Sequence, residues 1–150
     1  MGVRTGFLAG LAVLTTFAAG CAHGSGDGDR TNESGARLEG GAFVITGAAL
    51  EDGPGSLLAT LTGKVPNFRL QRNSGRCPII TLRNAVSFSS TVNPHVYVDG
   101  TRATDTCVLT SLRTHDVARV EVYPQGVTRR PGYGTHAQGL ILVFMRGAGG

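Results

Sequence analysis

The sequence predicts a single small α+β domain in which a mixed β-sheet is combined with short helices, and three patterns carry this reading. Val96 and Val98 alternate with His95 and Tyr97, and Val120 and Val122 alternate with Arg119, Glu121 and Tyr123, the period-2 signature of half-buried strands. Leu140 to Met145 is apolar on both faces, as a central strand covered from two sides requires. Ser56 precedes Leu57, Leu58, Leu61 and Val65 at helical spacing, with Gly63 near the end and Pro66 just beyond, which marks a capped amphipathic helix with one buried side.

Residues 1–20 read as an export signal. Arg4 supplies a positive charge, Phe7 to Phe17 is an apolar run of secretory length, and Ala18, Ala19 and Gly20 place small residues before Cys21. The run is too short to cross the membrane interior, which takes about 20 apolar residues. It resembles a bacterial lipoprotein signal, which implies lipidation of Cys21; an ordinary cleaved signal that happens to precede a cysteine is the alternative. Ala22 rather than Asp follows that cysteine, which implies the outer membrane as the anchored site, with the protein facing the periplasm. Residues 21–41 are then the lipidated cysteine and a flexible tether, because their Gly, Ser and Asp content cannot bury enough surface to order the chain.

The folded domain is expected over 42–150. Ala42 to Thr46 is a short β-prone run, and Ala48 to Asp52 supports at most a turn or two of helix before Gly53-Pro54-Gly55 stops it. After the capped helix, strands are expected over Asn67 to Gln71, Pro78 to Arg83, His95 to Val98, Val117 to Tyr123 and Leu140 to Met145. Asp99-Gly100 is a tight-turn signal. Gly134 and Gly139 bracket a loop that must bend before a buried strand; a phosphate cradle would need a helix to follow.

Charge and motif content exclude several functions. Fourteen basic residues against ten acidic ones give a formal charge of +4, but the excess is scattered and only Arg129-Arg130 are adjacent, without the interleaved aromatics of a nucleic-acid surface. His23, His95, His115 and His136 stand in no HxH or HExxH spacing, no CxxC or GxSxG occurs, and neither a catalytic residue nor a metal or cofactor is expected.

Several segments follow one another in a recognisable order: Phe43-Val44-Ile45-Thr46, the helix from Ser56 ending in Val65-Pro66-Asn67-Phe68, Ile79 to Asn84, Val96-Tyr97-Val98-Asp99-Gly100, Asp116 to Tyr123, and Tyr133 to Val143. The series resembles the plug domain of TonB-dependent outer-membrane receptors, where a "VPG" turn, a "VDG" turn, an "IERIEVL" strand and a "YGSxAxxGVI" segment succeed one another. Asn67 stands where the family has Gly, the Arg129 to Gly132 loop is longer than usual, and no TonB box is recognisable. The resemblance implies a small plug-like domain, here without the barrel, since about 22 strands of about 10 residues exceed this chain.

The expected function is that of a non-catalytic interaction or ligand-binding accessory. It would be held at the outer membrane by its lipid and could work beside an envelope partner such as a TonB-dependent receptor. A small secreted metal-dependent or hydrolytic domain sharing the fold pattern is the alternative. With Cys21 taken by lipid, Cys77 and Cys107 are left in an oxidising compartment and are expected to pair. Arg129, Arg130 and Tyr133 form the candidate interaction loop, two charges and an aromatic ring around the stiff Pro131-Gly132 turn.

Overall fold

In the computed structural model, which describes residues 2, 30–31, 35–72, 74–82 and 92–147, the doubly apolar run Leu140–Met145 is an interior strand of a mixed sheet. The strands in chain order are β1 (Arg30–Thr31), β2 (Arg37–Glu39), β3 (Ala42–Thr46), β4 (Arg69–Gln71), β5 (Ile79–Thr81), β6 (His95–Val98), β7 (Thr101–Arg102), β8 (Val117–Tyr123) and β9 (Leu140–Met145). Seven of them form one sheet in the order β1-β2-β3-β8-β9-β6-β7, while β4 and β5 pair separately. Only β6 and β9 run parallel; every other pair is antiparallel. The α+β class is therefore borne out.

Alternation in β9 divides the core into two layers. Ile141 and Val143 join Ile45, Val96, Val120 and Val122 on the face that carries the helices α1 (Ala48–Glu51), α2 (Leu57–Lys64) and α3 (Val108–Ser111). Leu140 and Leu142 join Ala42, Val44 and Tyr123 on the other face, against Tyr97, Tyr133 and Phe144. Leu140, Ile141 and Leu142 are all fully buried, as residues of a strand hydrogen-bonded on both edges and covered on both faces must be. α2 begins as expected: the Ser56 hydroxyl oxygen accepts the Ala59 N–H at 3.4 Å, and Leu57, Leu58, Leu61 and Val65 are buried.

Regular structure begins before residue 42, within the stretch whose composition predicts a tether. Arg37–Glu39 pairs with β3 across the two-residue turn Gly40-Gly41, whose φ angles are both positive, and Ala36 is buried. Polar residues order there because the neighbouring strand supplies a hydrogen-bonding ladder, which composition does not register. Apart from residue 2, the segment expected to be a signal, Cys21 and residues 22–29 lie outside the described residues. The strand expected over Asn67 to Gln71 starts at Arg69 because Asn67 adopts φ +60, and the strand expected over Pro78 to Arg83 is Ile79–Thr81. Asp99 and Gly100 both take positive φ and join β6 to β7. Gly139 is required, since with φ +104 an added Cβ would meet Leu82 Cδ1 at 2.6 Å and Tyr123 O at 3.0 Å, whereas Gly134 borders open space with no positive φ.

Cys77 and Cys107 form the expected disulfide, with Cα atoms 4.7 Å apart. It ties the β4–β5 hairpin to α3, an element without an amphipathic signal in the sequence. Asp105 accepts the Cys107 N–H at 2.9 Å just before the helix, and the Thr106 hydroxyl donates to Pro78 O at 2.5 Å, so with the disulfide the four-residue helix is held by tertiary contacts rather than by propensity. Replacing both cysteines by Ser is expected to lower the unfolding free energy by about 3–4 kcal/mol, since the bridge spans 30 residues. Urea unfolding of the two proteins measures the difference, and a loss below about 1 kcal/mol would show that the staple does little to the unfolded chain.

Candidate functional site

The helix-free face of the sheet carries the densest polar cluster among the described residues. Because Val120 and Val122 point into the helix layer, Glu121 and Tyr123 point the other way, under the segment 124–139 that links β8 to β9. Glu121 is 1% exposed. An unpaired carboxylate would be costly there, and its two oxygens receive four donors. Arg119 Nε reaches Oε1 at 2.6 Å, Arg130 Nη2 reaches Oε1 at 2.5 Å and Nε reaches Oε2 at 2.6 Å, while the Tyr123 hydroxyl donates to Oε2 at 2.9 Å. Arg119 also spans to Glu39 Oε2 at 2.8 Å, which ties β8 to β2. The Arg130 guanidinium lies 5.0 Å above the Phe144 ring.

Burial by itself would raise the Glu121 carboxyl, but the hydrogen bonds from Arg130, Arg119 and Tyr123 outweigh it and hold the group below its ordinary range. Arg130 is pushed up by its bond to Glu121. Burial lifts the Tyr123 hydroxyl, which therefore stays protonated as a donor.

Further along, the link is held at several points. Gly126 N–H donates to Tyr123 O at 3.0 Å, His136 N–H to Gly126 O at 3.0 Å and Gly139 N–H to His136 O at 2.9 Å. Tyr133 meets Tyr97 edge to face at 5.0 Å, and the His136 ring stacks on His95 at 3.6 Å. His95 Nε2 lies 2.7 Å from Arg102 Nη2; as a guanidinium has no acceptor, His95 accepts there and its ring is neutral. Burial first, then His136 and Arg102, lowers its pKa.

These contacts divide the expected interaction loop. Arg130 turns inward onto Glu121 and serves as a latch. Arg129 is exposed and Tyr133 is half-buried against Tyr97, with Val127 59% exposed beside them. In the sequence, Glu121 stands merely on the polar side of its strand. The signal that could have found it is the covered outer face of β9: a strand paired to β9 must have that same face covered, and a carboxylate there must have cationic partners. Cys77, Asp105 and Cys107 bring three metal-type donor atoms within 4.8 Å of one another, but both sulfurs are spent in the disulfide.

Comparison with protein-family models and with curated proteins finds no match for this chain.

Glu121→Gln is expected to cost about 2 kcal/mol at neutral pH, less than a fully buried pair would lose because Arg119 and Arg130 remain partly hydrated. The folded carboxyl titrates below its ordinary value of 4.5, so its stabilisation is complete above that pH and fades as pH falls through the folded value. Denaturant unfolding from pH 7 to pH 2 should show the wild-type advantage shrinking below pH 4.5; a constant gap would refute the charge-based account.

Proposed function

We propose that this domain is a non-catalytic, plug-like interaction module, anchored by lipid on Cys21 at the outer membrane and facing the periplasm, and that it binds an envelope protein through the 124–139 loop. The observation that carries this reading is the pinning of that loop. Glu121 grips Arg130, Tyr97 holds Tyr133 and His95 holds His136, while Arg129 and Val127 remain exposed. A loop already ordered before binding loses little entropy on association, which is what a recognition surface on a rigid scaffold needs.

The plug-like part of the reading has support in local geometry. The segments that resemble the receptor plug fall on successive elements: α2, the turn after it, the β6–β7 turn, β8, and the link into β9. Asn67 stands where the family has Gly, and it adopts φ +60, a left-handed conformation that Gly and Asn tolerate best. The disulfide agrees with an exported location. A TonB-dependent receptor is the partner class that this resemblance suggests.

Photo-crosslinking from position 127 in intact envelopes, in the otherwise wild-type protein and in the Arg129→Ala/Tyr133→Ala background, tests the contact. The expected outcome is a crosslinked partner that disappears in the variant while thermal unfolding stays within a few degrees of wild type. No partner for either protein, or the same partner for both, would remove the loop as an interface.

The anchor is tested separately. Cys21→Ser should move the protein from the detergent phase to the aqueous phase or stall its processing. A wild-type N-terminal peptide without lipid, found in the soluble periplasm, would overturn that part of the proposal alone.

A further inference from the structure

On the helix-bearing side, a cleft of about 610 Å³ opens between α2 and the β4–β5 hairpin, with Leu58, Ala59, Leu70 and Pro78 among its lining and Arg72 and Arg76 at the hairpin turn. Its volume falls within the few hundred to a thousand Å³ of small-molecule sites. The charges are distributed unevenly about it. Arg119, Arg130 and Arg146 each hold a glutamate, but neither Arg72 nor Arg76 pairs with a carboxylate among the described residues, and both are exposed. Asp105, beside the disulfide, directs its carboxylate to the Cys107 N–H and the Thr104 hydroxyl instead.

The walls of this cleft are fastened. The Cys77–Cys107 bridge immediately follows Arg76 and joins the hairpin to α3, which contributes Thr110 to the lining. The Thr106 hydroxyl clamps Pro78, and the Asn93 side chain accepts the Ile80 N–H at 2.8 Å. An apolar floor with two guanidinium groups that no described carboxylate meets on one rim, on walls held by a covalent staple, is complementary to one kind of molecule. We infer that this cleft binds an amphiphile with an anionic head and a short acyl-type tail, the tail lying over Leu58, Ala59 and Leu70 and the head meeting Arg72 and Arg76. The inference is independent of the contact role proposed for the 124–139 loop, which covers the opposite face of the main sheet.

Calorimetric titration of the mature protein with decanoate below its micellar concentration tests the proposal, with decyltrimethylammonium and acetate as the head-reversed and tail-less probes. Decanoate is expected to bind, and the cation with the same tail about tenfold or more weaker, since its head meets the two guanidinium groups with like charge and no acceptor. Acetate should give no heat in the same range. Arg72→Gln/Arg76→Gln should bring decanoate down to the level of the cation, and Ala59→Phe, at an exposed helix position, should block both by filling the floor. Equal binding of the two head groups, binding indifferent to both variants, or no binding of decanoate would each overturn the inference.

Discussion

A carboxylate buried to 1% exposure between the sheet and the segment above it has to be neutralised where it lies, and the arrangement of one whole face follows from that demand. Glu121 is reached by Arg119 from two residues away on its own strand and by Arg130 from the link between β8 and β9. The first contact depends on strand alternation alone. The second closes the 124–139 segment down onto the sheet, and the edge-to-face contact of Tyr133 with Tyr97 and the stacking of His136 on His95 follow along it. Without the charge pair, Leu140 and Leu142 would have only apolar contacts to exclude water from their outer side.

The opposite face is organised by a different device. There the helices supply apolar stripes, and the layer of Leu50, Leu57, Leu61 and Leu109 against Ile45, Val120 and Ile141 needs no polar fastening. At its margin the short β4–β5 hairpin and the four-residue α3 could not stand alone, since a two-stranded hairpin and a single helical turn are each marginal in water. The disulfide and the Thr106–Pro78 hydrogen bond hold them together. The molecule thus has one face closed by charge and one margin closed by a covalent bond. Each leaves arginines at its edge, Arg129 in one place and Arg72 with Arg76 in the other.

Much of this frame was legible in the residues because it rests on local periodicity. Val96 and Val98, Val120 and Val122, and the unbroken apolar run from Leu140 mark strands whose bounds agree with those observed. Ser56 and Asp99-Gly100 mark a helix start and a turn through their own backbone chemistry. The pairing of Cys77 with Cys107 follows from counting the cysteines left once Cys21 is set aside. Arg37–Glu39 and Val108–Ser111 carry no periodic signal: one is ordered by a neighbouring strand, the other by a disulfide and the Thr106–Pro78 hydrogen bond.

By itself, then, the sequence determined the strand and helix alternation, the α+β class and which cysteines could meet, all properties set within a few residues of chain or by composition. Only the tertiary structure decided that Glu121 is buried, that Arg130 is a latch while its neighbour Arg129 stays exposed, and that Arg72 and Arg76 border a cleft floored by α2. The reason is physical: whether a charged side chain is solvated or paired depends on what covers it, and here the covering groups come from elements many residues away in the chain.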